Sequence, residues 1–212
     1  AVAVVLPSPG GDVVLLDAGG TPDASADLLA QFALAGCAYA ASRGCADPRV
    51  GLLTIGSESG KGDTLRRGTA TLLEALPLTF VGGVEGGDLA RGGRADVVVT
   101  DGFTGNVVLK ALEGAADVVL ARAAVGYGDP GPAEALRRQY VAGPHAGALL
   151  LGVDGVSVVG HGASTADEVV AYVGLAARAV SARIVPRTAE RLTELLALRA
   201  ATDGRPARAE VR

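Results

Sequence analysis

Ala95-Asp96-Val97-Val98-Val99-Thr100-Asp101-Gly102-Phe103-Thr104-Gly105-Asn106-Val107-Val108-Leu109-Lys110 is the stretch on which the fold turns. Asp96–Thr100 is a short apolar, β-branched run and reads as a buried strand. A glycine loop follows it. From about Gly105 the apolar residues recur at helical spacing towards Ala124. The same plan of strand, glycine loop and helix recurs at 50–75 and at 156–182. In the first, Val50–Ile55 opens into Gly56-Ser57-Glu58-Ser59-Gly60-Lys61-Gly62-Asp63. In the second, Val156–Val159 opens into Gly160-His161-Gly162-Ala163-Ser164-Thr165. Right-handed crossovers place such loops on one edge of a parallel sheet, at the carboxyl ends of its strands. The expectation is an α/β protein, a three-layer α/β/α sandwich with a mostly parallel sheet.

The remaining segments fit that plan. Val2–Leu6 and Val13–Asp17 flank Pro7-Ser8-Pro9-Gly10-Gly11 and read as a hairpin. Ser25 to about Arg43 reads as a helix, and Asp63 or Thr64 caps another that runs to about Ala75. Leu78–Val81 is a strand, followed by a glycine loop at 82–88. Gly126–Pro132 breaks the long helix, and a short helix over Ala133–Tyr140 follows. Ala148–Leu151 is a further strand. Thr165 caps a helix over Ala166–Ala182, and Thr188–Arg199 is the last helix. Residues 1–200 read as one unit, and the polar, Arg-rich residues 201–212 as a disordered tail.

Composition agrees. At 212 residues there is room for one domain with a real core. With 49% apolar but only 3% aromatic residues, that core is built of Val, Leu and Ala. A net charge of −4 supplies no pull towards nucleic acid. No apolar run approaches the roughly 18–20 residues that cross a bilayer. The apolar opening residues stop at Pro7 and lack a basic leader, so no signal peptide is read. The chain opens at Ala1, directly in a strand, and an upstream segment is expected. Cys37 and Cys45 fit no zinc or redox spacing and read as free thiols.

Candidate chemistry concentrates where rare residues survive. Only two of the 19 basic residues are lysines, Lys61 and Lys110, and Asn106 is the one asparagine. Gly60 and Gly62 let the backbone approach a ligand beside Lys61, whose point charge suits phosphate. The spacing is not that of a Walker loop. Asn106, read at the start of a helix, is placed to donate to an anion or oxyanion. Lys110 shares its face one turn on. Asp101 and His161 are candidate proton handlers, and Glu85, Glu58 and Asp88 add carboxylates near the glycine loops. Plainer roles fit the same residues: a turn lysine, a helix cap, a lysine paired with Glu113, a histidine bonded to its own loop. His145, beside Pro144, looks incidental. No G-x-S-x-G elbow or G-x-G-x-x-G dinucleotide fingerprint is present. No spacing compels a metal.

Taken in order, five stretches resemble the bacterial phosphate acyltransferases, the acyl-ACP:phosphate transacylases of phospholipid synthesis. They are Leu15–Gly19, Gly56–Gly62, Val84–Leu89, Ala95–Lys110, and Gly152–Val156 leading to Gly160-His161-Gly162. The resemblance implies the fold of isocitrate and isopropylmalate dehydrogenases and of phosphate acetyltransferase. Family members are longer, so the chain is expected to be the C-terminal portion of such an enzyme. Asp17-Ala18-Gly19-Gly20-Thr21 stands where the family often reads D-V-G-A-N, and Gly83 where it often has Asn. The family's helical hairpin, tied to dimerisation and peripheral membrane contact, is expected to be eroded by the break at 126–132.

The implied reaction moves a long fatty acyl group from acyl carrier protein to inorganic phosphate. Phosphate is the nucleophile, so no covalent enzyme intermediate is needed, and no cofactor is expected. The implied setting is a cytoplasmic homodimer with at most peripheral membrane contact. It would feed a downstream glycerol-3-phosphate acyltransferase and have no nucleic-acid partner. On this reading Gly60, Lys61 and Gly62 hold phosphate with Glu85 beside them, and Gly105 and Asn106 serve the oxyanion or a second phosphate oxygen. Lys110 gives electrostatic support or a carrier-protein contact, and His161 or Asp101 protonates the leaving thiolate or orients phosphate. Three other readings stay open: a short-chain phosphate acetyl- or butyryltransferase using acyl-CoA, a decarboxylating dehydrogenase, and an inactive truncated chain with a folding or dimerisation role.

Overall fold

A computed structural model describes residues 1–58, 60–141, 146–162 and 164–202. The apolar runs form β1 (Val2–Leu6), β2 (Val13–Leu16), β3 (Arg49–Leu53), β4 (Thr79–Val84), β5 (Val97–Val99), β6 (Ala148–Leu150) and β7 (Val158–Val159). Between them lie α1 (Ala26–Ser42), α2 (Thr64–Glu74), α3 (Gly86–Arg91), α4 (Gly102–Tyr127) and α5 (Gly131–Val141). The chain continues through α6 (Ala166–Ser181) and α7 (Ile184–Thr202). The strands make one sheet in the order β4-β3-β5-β2-β1-β6-β7. β4, β3, β5 and β2 are parallel, β1 is antiparallel to both its neighbours, and β7 is antiparallel to β6. Five of the seven strands therefore run one way.

Successive side chains in a strand point to opposite faces, and the burial follows that alternation. Val14, Leu16, Val50, Leu52, Val97 and Val99 pack with α1, α2 and α7 in one core layer. Val13, Leu15, Leu53 and Val98 pack with Leu89 of α3 and with Val108, Leu109 and Leu112 of α4 on the other face. This is the expected three-layer arrangement. Among the described residues no single helix is long and apolar enough to cross a membrane.

Three expectations change. β6 and β7 are joined by a short glycine-rich connection, too short for a crossover helix, so they pair antiparallel. The loop with His161 therefore leaves the sheet at the edge opposite the other two glycine loops. Residues 86–91 form a helix where a loop was expected; Asp88 accepts the Glu85 amide across its first turn. α7 starts four residues before Thr188, with Pro186 in a first turn that needs no amide donor. The break after α4 is short. Gly128 closes that helix in a left-handed conformation, and α4 packs on α5 as a hairpin with a short second arm. Of the expected tail, 203–212 lies outside the described residues, as does His145. Both cysteines are free, and burial pushes the Cys37 thiol up to about 12.

Candidate functional site

The carboxyl ends of the four parallel strands line up along one edge. In spatial order they present Glu85 after β4, Thr54 to Gly62 after β3, Thr100 and Asp101 after β5, and Asp17 to Thr21 after β2. Neighbouring strands lie about 4.8 Å apart, so the row spans roughly 15 Å. It brings Gly60, Lys61, Gly62, Glu85, Asp101, Gly105 and Asn106 to one side of the molecule. His161 is not among them. It lies beyond β7 at the far edge, where its carbonyl accepts the Ser164 amide. Lys110 is exposed further along α4 and pairs with Glu113 at 2.6 Å.

The turn after β2 is built on Asp17, whose side chain has no solvent exposure. Its Oδ1 accepts the amides of Val2 at 2.9 Å, Gly19 at 3.2 Å and Gly20 at 2.9 Å, and Oδ2 accepts that of Thr21 at 2.7 Å. The carboxylate thus folds the Gly19–Thr21 backbone around itself and ties it to β1.

Helix α4 is docked on that turn through glycines. A Cβ on Gly102 would lie 2.8 Å from the Thr21 amide nitrogen, and one on Gly105 only 1.9 Å from the Asp17 carbonyl oxygen. The Gly102 amide donates to the Thr21 carbonyl at 2.8 Å. The helix begins at Gly102 with Asp101 as its cap, not at Gly105. Asn106 therefore stands a full turn inside it. The Thr104 amide is taken by the Asp101 carboxylate, and the Gly105 amide by the Asp101 carbonyl. Few open amides are left there for an anion, so the expectation of a helix-start anion seat at Gly105 is not met. Gly105 serves close packing. Asn106 is exposed beside Gly19, with no hydrogen bond to its amide among the described residues.

Gly60 (φ 83°) and Gly62 (φ 99°) take the left-handed turn that carries Lys61, which has no ion-pair partner among the described residues. Asp63 caps α2 next to them. One turn inside, Arg66 reaches out of α2. Its Nη1 bonds Asp63 at 3.0 Å; its Nη2 bonds Thr100 Oγ1 at 3.1 Å, Thr104 Oγ1 at 3.0 Å and the Asp101 carboxylate. Arg66, Asp63, Asp101, Thr104 and Ser25 line an open cleft of about 600 Å³, with Phe103 at its wall. Caps of three helices, Ser25, Asp63 and Asp101, meet there. The Thr54 hydroxyl, buried at the base of the Lys61 loop, has no hydrogen-bond partner among the described residues. Arg66 was not singled out in the sequence, where it reads as one polar position of a helix. Among the described residues no group of three His, Cys, Asp or Glu is placed to hold a metal.

Burial works against the charge of Asp101. The Thr104 amide and hydroxyl and the Arg66 guanidinium together outweigh it and hold the carboxyl below the usual range. It is ionised at neutral pH and accepts bonds, so it is no proton donor. At the opposite edge the Arg49 side chain does the same for Asp96 through bonds of 2.9 and 2.8 Å. A carboxyl whose folded pKa is depressed contributes stability above its unfolded pKa, near 3.9, and loses it as pH falls through the folded value. The acid limb of the stability curve should therefore lie below about pH 4. In Asp96→Asn and Asp101→Asn that limb should be shallower, read by denaturant unfolding at pH 7 and pH 3. Equal acid slopes in wild type and variants would remove these carboxylates from the acid transition.

A family model described as "Fatty acid synthesis protein" matches residues 1–125, which contain every residue of this edge but not His161. The chain is 45% identical over 200 residues to a phosphate acyltransferase of Thermobifida fusca (strain YX), covering 87% of this chain and 55% of that protein. It is 42% identical over 180 residues to one of Desulfitobacterium hafniense (strain DSM 10664 / DCB-2), covering 77% and 53%. It is 40% identical over 198 residues to one of Leptospira biflexa serovar Patoc, covering 87% and 58%. The chain spans little more than half the length of these relatives. With the matched segment ending inside α4 and carrying the whole sheet edge from Asp17 to Asn106, the chain belongs to the bacterial phosphate acyltransferase family of fatty acid synthesis proteins.

Proposed function

We propose that the protein moves a long-chain fatty acyl group from acyl carrier protein to inorganic phosphate. The acyl phosphate then serves glycerol-3-phosphate acylation. The observation that carries this reading is the Lys61 turn. A lysine with no ion-pair partner among the described residues sits between two left-handed glycines on the same sheet edge as Asn106, in a member of this family.

A phosphate oxygen attacks the thioester carbonyl, the C–S bond breaks, and acyl phosphate and the carrier thiolate result. The protein's work is to hold phosphate against the carbonyl and to stabilise the oxyanion. Lys61 and the Gly60–Gly62 turn hold phosphate. The Asn106 amide donates to the oxyanion. The far-edge position of His161 and the ionised state of Asp101 remove both as proton donors. The thiolate, with an ordinary pKa near 8.5, leaves without one and takes its proton from solvent. Exposed Val118, Val119, Val125 and Tyr127 on the α4–α5 hairpin support a homodimer with peripheral membrane contact.

The test is release of free thiol from palmitoyl-acyl carrier protein. Release should saturate with phosphate. Lys61→Ala should raise the KM for phosphate about tenfold while the donor KM holds. Release independent of phosphate, or confined to short acyl-CoA donors, would overturn the reading.

A further inference from the structure

Among the described residues little fixes the Lys61 turn from within. Chain neighbours aside, no described atom lies within 4 Å of where a Cβ on Gly60 would stand, and the Lys61 amide reaches the Glu58 carbonyl at 3.2 Å. The helix behind it supplies further contacts. Directly after the turn, α2 presents two arginines with different partners. Arg67 Nη1 bonds the Gly62 carbonyl at 2.6 Å. Arg66 lays its stem against Gly62, where an added Cβ would be 2.7 Å from the Arg66 Cβ. Its guanidinium then spans Asp63 on its own helix and Thr100, Asp101 and Thr104 at the start of α4. The Arg66 side chain is only 11% exposed, so these bonds are shielded from water and salt.

We propose that Arg66 is a positioning residue, clamping the Lys61 turn through α2 to the start of α4. A planar guanidinium reaches acceptors on two helices at once; the single ammonium of a lysine cannot. The clamp fixes the distance between the lysine that receives phosphate and the helix that carries Asn106. A displacement near 1 Å at such a site costs on the order of 10²-fold in rate. Without Arg66, Asp63 and Asp101 also face the cleft with no counter-charge, which repels an arriving anion.

The kinetic consequence rests on the acyl-transfer reading, and the clamp itself does not. Two measurements keep them apart. Amide hydrogen exchange in Arg66→Ala should speed up about tenfold or more over residues 60–64, while β5 amides keep wild-type rates. Arg66→Lys, which keeps the charge but not the fork, should fall between. In the thiol-release assay Arg66→Ala should raise the phosphate KM about tenfold, with the carrier-protein KM within about twofold. Loop and sheet exchange accelerating together would mean a merely global stabiliser and would overturn the clamp. So would wild-type loop exchange in Arg66→Ala. A wild-type chain that releases no thiol would sink the acyl-transfer reading alone, and the exchange comparison would still decide the clamp.

Discussion

Gly105→Ala should unfold about 10 °C below wild type and lose at least about 100-fold in phosphate-dependent thiol release. The added methyl would stand 1.9 Å from the Asp17 carbonyl oxygen and 3.0 Å from Thr100 Cγ2. A carbon and a carbonyl oxygen approach no closer than about 3.3 Å, so helix and turn must part by roughly 1.4 Å. Neither gives easily. The carbonyl belongs to a residue whose own carboxylate is held by four amides. The helix is tied to the same turn by the bond from the Gly102 amide to the Thr21 carbonyl. Overpacking of this kind costs about 1–3 kcal/mol, and the strained bond adds about 1. At 2–4 °C per kcal/mol for a chain of this size, that gives the stated shift. Gly114→Ala is the control. It lies in the same helix with nothing within 4 Å of its Cβ, so alanine there should stabilise by up to about 1 kcal/mol. Matching melting temperatures for the two variants would refute the docking account of Gly105.

That contrast shows where sequence reading stops. Helix starts with a local cap are legible: Thr165 was placed before α6 and Asp63 was one of two candidates before α2, and each accepts an amide three residues on. The strand–loop–helix units after β3 and β5 were legible from apolar runs and glycines. The unit after β7 was not, because its direction is decided by pairing with β6 rather than by its own residues. Gly102 read as loop, and Gly105 as the helix start, because glycine is a poor helix former. Here each is required by a backbone packed against it from more than 80 residues earlier in the chain. Placing the helix start at Gly105 then made Asn106 a terminal residue, which it is not. Arg66 was invisible for a related reason: its acceptors on Thr100, Asp101 and Thr104 lie 34 to 38 residues further on. The rarity of Lys61 and Asn106 drew attention to two residues that share one edge of the sheet. His161 was carried by its glycine neighbours to an edge where it meets none of the others.

Asp17→Ala should match or exceed Gly105→Ala in lost stability, at about 4 kcal/mol. The carboxylate is wholly buried, and its removal strands the amides of Val2, Gly19, Gly20 and Thr21. Each buried donor left without an acceptor costs about 1–3 kcal/mol, moderated where the turn relaxes towards water. Asp17→Asn keeps the volume and an oxygen for the three amides on Oδ1, but turns an NH2 group against the Thr21 amide. Its cost should be about half that of alanine. Equal losses for the two variants would mean that packing volume, not hydrogen bonding, holds the turn. The two sites also act on one contact, since Asp17 supplies both the carboxylate that fixes the turn and the carbonyl on which Gly105 rests. Once Asp17→Ala has freed the turn, the methyl of Gly105→Ala meets a backbone able to retreat. The double variant should therefore lose at least about 1 kcal/mol less than the sum of the singles, as residues sharing a contact do. Strict additivity in denaturant unfolding would separate the turn from the helix and contradict the docking of α4 on the Asp17 turn.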